Sequence, residues 1–160
     1  MAKAILALSL GKPTGISPNW LIAGIALNLS GGAHPIVADR SIPLVSSLLT
    51  YFIGKEAEVH VPTLRLIEEF VDLFLEKSWD EIVIVSEPLY MKRCYRDLAR
   101  VLEEKGHECP ISLYEEYPAG DERWFDKYST QWWIRSRWLF RLRETLIRAL
   151  PWWLYKLVSR

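Results

Sequence analysis

A chain of 160 residues, half of them hydrophobic, has the length of one domain and enough apolar surface for a sizeable core without staples. Its formal net charge of zero excludes a general nucleic-acid binder, which needs a basic surplus to meet phosphates. The two cysteines, Cys94 and Cys109, lack CxxC or Cys/His spacing; they read as idle thiols in a reducing compartment, with no metal site.

The amino terminus, MAKAILALSLGKPTG, reads as a first strand over Ala2–Leu10 rather than a signal peptide. Its apolar run is short, no small-residue cleavage site follows, and turn residues stop it at Gly11, so the expected compartment is cytoplasmic. After the Gly11–Gly15 loop, Ser17-Pro18 opens a helix to about Leu29, serine as N-cap and proline at the first helical position, ended by Gly31-Gly32. Pro35–Asp39 is a second strand, Pro43–Ile53 a second helix closed by Gly54, and Ala57–Val61 a third strand broken by Pro62. Leu64–Lys77 carries an apolar stripe too broad for an exposed helix and is predicted to pack on the sheet. Glu81–Val85 (EIVIV) has the β-branched run of a central parallel strand. Met91–Lys105 is an amphipathic helix ending at Gly106, and Ile111–Tyr114 a fifth strand. Tyr117–Ser129 is an irregular acidic loop, followed by helices over Gln131–Leu150 and Trp152–Val158 that Pro151 separates. Strands alternating with helices at this spacing predict a single α/β domain, a doubly wound, mostly parallel sheet of about five strands with carboxyl-terminal helices.

Charge is unevenly spread. From Gln131 onward stand seven bases against Glu144 alone, and Val101–Lys127 holds eight acids to three bases. Five of the eight tryptophans also lie beyond Gln131. On a helical wheel Trp138, Leu139, Leu142, Leu146, Ala149 and Leu150 share one arc, with Phe140 and Ile147 outside it and Arg137, Arg141 and Arg148 on a flank. Three destinations are open for this helix: its own sheet, with the arginines answering the acidic stretch; a second copy of the chain in a homodimer; or an anionic membrane surface.

An open parallel sheet gathers ligands at the carboxyl ends of its strands, near the switch in strand order. That rule selects Gly11, Lys12 and Thr14 after the first strand, Asp39 and Arg40 after the second, and Ser86 and Glu87, with Arg93 a turn further on, after Glu81–Val85. GKPTG reads either as a backbone cradle for an anion or as a plain strand-to-helix turn. Glu87 reads either as a helix cap or as the candidate general base, with Arg93 facing an anion. The ligand these residues suit is small and anionic, nucleotide-like or phosphorylated.

Val85–Cys94 (VSEPLYMKRC) resembles the YdcF-like family (SanA/ElyC-like envelope-related proteins), whose V-T-S-x-x-H-M-x-R segment is matched by Val85, Ser86, Pro88, Met91 and Arg93. The tail WWIRSRWLFRLRETL also looks like that family's closing Trp/Arg-Glu helix. The resemblance implies a Rossmann-like fold, an envelope-related role and a nucleotide-type ligand such as S-adenosylmethionine. This chain departs from the family where its histidine is Tyr90 and where Pro62-Thr63-Leu64-Arg65-Leu66 replaces an Asn-Thr-x-x-Asn segment. The imidazole and both amides of the family pattern are therefore missing. A non-catalytic interaction module, working through the Trp/Arg-rich carboxyl-terminal helices, is the alternative expectation.

Overall fold

The computed structural model describes residues 2–54, 61–114 and 121–159. Among these residues, five strands form one parallel sheet: β1 (Lys3–Ala7), β2 (Ile36–Asp39), β3 (Thr50–Ile53), β4 (Glu81–Val85) and β5 (Ile111–Leu113), in the order β3-β2-β1-β4-β5. Helices α1 (Ser17–Ser30), α2 (Thr63–Glu76) and α3 (Pro88–Glu104) cover both faces, and α4 (Arg137–Ala149) and α5 (Trp152–Val158) close the chain. This is a Rossmann-like α/β fold.

The strand order follows from composition. Ala4 to Ala7 of β1 and Ile82 to Val85 of β4 are buried, with Ala4 opposite Ile82 and Ala7 opposite Val85. Runs apolar on both faces are stable only between two layers of helix, so these strands take the centre. The short β3 and β5, half-exposed, take the edges. In α2, Leu64, Ile67, Phe70, Val71 and Phe74 recur with helical spacing and are fully buried. Each of these large side chains contributes about 1.5–3 kcal/mol of burial. The chain runs outward from β1 to β2 and β3, and α2 then carries it back to β4 on β1's other side. The order reverses between β1 and β4, and a crevice opens at their carboxyl ends.

Several expectations need correction. No helix forms over residues 43–49, and the end of the expected second helix is strand β3. Thr50-Tyr51-Phe52-Ile53 is a β-branched and aromatic run suited to a pleated surface, and a turn with Ser47 O accepting the Thr50 N–H at 3.1 Å sets its start. The expected strand Ala57–Val61 lies, but for Val61, outside the described residues, and Val61 is in no strand. Ser17 is not the N-cap. Ile16, which has no polar side-chain atom, holds that position, and Asp126 Oδ2 from far along the chain accepts the Ser17 N–H at 3.1 Å. The helix expected from Gln131 is broken: Trp132–Arg135 is a 3-10 turn, and extended Ser136 separates it from α4. Ile134 is buried there, and Arg135 Nε donates to Ser129 O at 2.7 Å, which fixes the turn.

The outcome for α4 is the least expected. Its buried residues are Phe140 and Glu144, while Trp138, Leu142 and Leu146, the heart of the broad apolar arc, face solvent. From the acidic stretch, Glu104 meets Lys156 Nζ at 2.9 Å and Trp152 Nε1 at 3.0 Å. No helix of the described residues is long and apolar enough to cross a membrane.

Candidate functional site

The floor of the crevice is the β1-to-α1 loop, and one side chain organises it. Asn19, fully buried in the first turn of α1, accepts the Leu10 N–H at 3.0 Å and donates to Gly11 O at 3.1 Å and Pro13 O at 3.4 Å. Gly11 has φ of +96°, and a Cβ there would sit 3.0 Å from Ser129 Oγ and 3.1 Å from Ile134 Cγ1. Only glycine lets the 129–134 segment approach this closely in that conformation. Lys12 O in turn accepts the Thr130 N–H at 2.8 Å and the Ser129 hydroxyl at 3.1 Å. The carbonyls of Gly11, Lys12 and Pro13 serve donors of the chain itself. The anion at the α1 N-terminus is internal as well, the Asp126 carboxylate on the Ser17 N–H, where the helix dipole favours it.

Beside this floor a cavity of about 50 Å³ remains. Lys12 and Asp39, both nearly buried, line it from the carboxyl ends of β1 and β2. Thr63, Tyr90 and Arg93 come from α2 and α3, and Trp133, Phe140 and Arg143 close it from the carboxyl-terminal segment. Asp39 is held by the Ser9 hydroxyl and by the Ser41 N–H at 2.9 Å. The Tyr90 hydroxyl lies 2.9 Å from Thr63 Oγ1.

Arg93 is nearly buried and is the centre of a charged network. Its Nε donates to Glu144 Oε2 at 2.8 Å, and its Nη1 to the Tyr155 hydroxyl at 3.4 Å. Tyr155 donates to Asp97 Oδ2, and Arg96 Nη2 meets Asp97 Oδ1 at 2.8 Å. Arg143 Nη1 takes the other Glu144 oxygen at 2.7 Å while its guanidinium lies over the Trp133 ring at 4.8 Å. Burial opposes the Arg93 charge, but Glu144 and the Tyr90 and Tyr155 hydroxyls outweigh it and raise its pKa further. Burial pushes Tyr155 up to about 12, so it stays a neutral donor. These bonds fasten α4 and α5 to α3.

Glu87 caps α3 and does not line the cavity. Its Oε2 accepts the Leu89 N–H at 2.7 Å and the Tyr90 N–H at 2.9 Å, while its buried Oε1 has no hydrogen-bond partner. Burial pushes this carboxyl from 4.5 up to about 7, against the two backbone bonds; Glu144 adds to the rise and Arg141 opposes it. The folded protein therefore holds a proton that the unfolded chain releases. The stability Glu87 contributes is full below about 4.5 and is lost as pH rises through about 7. Asp97, also raised chiefly by burial, acts in the same direction. Urea unfolding across this window should show stability falling with pH, and Glu87→Gln should flatten most of that decline. An unchanged slope in the variant would rule out a protonated cap.

Of the expected ligand residues, Gly11, Lys12, Asp39 and Arg93 meet at the cavity, and Thr14, Arg40, Ser86 and Glu87 do not line it. Arg40 Nε turns outward to Gly54 O at 2.9 Å, and Ser86 Oγ ties β4 to Leu8 O at 2.8 Å. The expected convergence of Lys12, Asp39, Glu87 and Arg93 on one concavity is thus corrected for Glu87, whose capping bonds hold it away. Asn19, Asp97, Arg143, Glu144 and Tyr155 were not foreseen as site residues. Glu144 did carry a signal, as the lone acid among the bases beyond Gln131. Asp97 stands one helical turn after Arg93 on α3.

The fold and crevice define a Rossmann-like α/β protein whose strand-end cavity is roofed by its own residues 131–143. No protein-family model, curated protein or solved structure matches the chain.

Proposed function

We propose that this protein is a divergent YdcF-like α/β protein that binds the phosphoryl end of a small anionic ligand in the crevice between Lys12, Arg93 and Arg143. The observation that carries this reading is the cavity lining: three cations and the Ser9, Thr63 and Tyr90 hydroxyls against one carboxylate, Asp39. Counting Glu144, which answers both arginines, the local balance is still one positive charge. On a scale where one water needs about 10–15 Å³, the cavity of about 50 Å³ takes one phosphoryl group. A base or sugar would lie outside it. The same charges favour a phosphate ester over S-adenosylmethionine, whose sulfonium is cationic.

The site reads as a binding site rather than an acid–base centre. Burial, first among several causes, pushes Tyr90 well above the ordinary phenol range, so at neutral pH it is a hydrogen-bond donor and not a base. Glu87 is engaged in capping.

Calorimetric titration tests the proposal. Inorganic phosphate and a simple phosphate monoester should bind at constant ionic strength, each with one site. Lys12→Met and Arg143→Met should each weaken binding roughly tenfold or more, the range of a charge-assisted hydrogen bond. Binding that survives both changes, in variants that melt like the wild type, would refute the assignment.

A further inference from the structure

We infer that α4 and α5 form a docking surface for an anionic lipid bilayer. The middle of the apolar arc of α4 stands in solvent: Trp138 is 67% exposed, Leu142 45% and Leu146 61%, at four-residue spacing along one face. Across Pro151, α5 presents Trp153 at 66% and Leu157 at 72% exposure. The inner faces of both helices are held by other residues. Phe140 and Glu144 bury α4, and Tyr155 buries α5 through Arg93 and Asp97. The outer strips are therefore exposed while the inner faces are packed, and no rotation of α4 can bury them without breaking the Arg93–Glu144 pair.

Charge selects the occupant. Arg137 and Arg141 are exposed beside Trp138 and Leu142, and Arg135 is exposed on the preceding turn. Among the described residues from 131 onward the single acid, Glu144, is buried between Arg93 and Arg143. The outer face of α4 thus presents bases and an indole and no carboxylate of its own, while on α5 Lys156 is met by Glu104 of α3. A two-fold contact with a second copy would set this basic surface against itself, like charge on like charge. Anionic headgroups complement it, tryptophan prefers the headgroup level, and the leucines enter the acyl boundary, as in helices that lie in the interface plane. Each base near such a surface adds about fivefold in binding, and salt screens the effect.

Co-sedimentation with vesicles tests the surface. Wild-type protein should sediment with vesicles of phosphatidylcholine and phosphatidylserine, at least tenfold more tightly than with phosphatidylcholine alone, and lose this preference at high salt. The double variant Trp138→Ser with Leu146→Ser should bind at least tenfold more weakly while melting like the wild type, because both side chains are already in water. Trp20→Ser, at an exposed tryptophan of α1, should leave vesicle binding unchanged. Failure to sediment, equal loss in the Trp20 variant, or a wild-type dimer that the double change dissociates would each overturn the inference.

Discussion

Arg93→Ala should lower stability by about 3–5 kcal/mol, the cost of removing one partner from a buried ion pair. Glu144 is fully buried and would keep only the Arg143 bond at 2.7 Å, with Oε2 left uncompensated in a low-dielectric interior. Tyr155 would lose the Arg93 Nη1 donor at 3.4 Å and keep Asp97 as its tie to α3. For a domain of this size, each kcal/mol moves the melting temperature by about 2–4 °C, so a fall on the order of 10 °C is expected. The roof should loosen first, seen as faster proteolysis in α4 and α5 than in the sheet. Replacing both partners, Arg93→Met with Glu144→Leu, should recover part of the loss, since an apolar pair carries no desolvation penalty but Arg143 then lacks its carboxylate. A cost below about 1 kcal/mol for Arg93→Ala would class the pair with surface salt bridges and contradict its role as the fastening of the carboxyl-terminal helices.

Asn19→Ala should cost about 2–4 kcal/mol and should also abolish phosphate binding. The amide serves three backbone groups of one loop, and its loss leaves the Leu10 N–H and the Gly11 carbonyl buried without partners. The loop carries Lys12 and the glycine on which the 129–134 segment rests, so the crevice should lose its shape along with its stability. Asn19→Asp should cost more, since it keeps the acceptor but buries a charge and discards the donor. Amide hydrogen exchange is the sharpest readout. The Leu10 N–H should exchange orders of magnitude faster in Asn19→Ala, while amides of β4 change only by the global loss of stability. An unchanged Leu10 rate would show that the loop is held some other way.

What the sequence made legible follows from how local each signal was. β4, α2 and α3 carry patterns of five residues or more that favour one secondary structure, and they form there, as β1 does within the longer Ala2–Leu10 run, with ends shifted by up to three residues. The second helix was misread because Pro43–Ile53 is a short apolar run, which periodicity alone cannot assign; the aromatic and β-branched end of the run decided for β3. Among the site residues, Gly11, Lys12, Asp39 and Arg93 were found by topology, because strand ends gather at one edge whatever the motif. Their partners could not be found in this way. Glu144 reaches Arg93 across 51 residues and Asp126 reaches Ser17 across 109, pairings that depend on how the tail folds back over the sheet. Which face α4 buries was left open for the same reason. Its wheel has a larger apolar arc and a smaller one, and the buried guanidinium of Arg93 drew Glu144, with Phe140 beside it, inward.

A crystal soaked in tungstate, an electron-dense tetrahedral oxyanion, tests the central claim most directly. The anomalous difference map should show one strong peak in the cavity, within hydrogen-bond or ion-pair distance of the Lys12, Arg93 and Arg143 side chains, and the peak should vanish from crystals of Lys12→Met. Peaks confined to exposed bases such as Arg137 and Arg141, with the crevice empty at saturating tungstate, would contradict it.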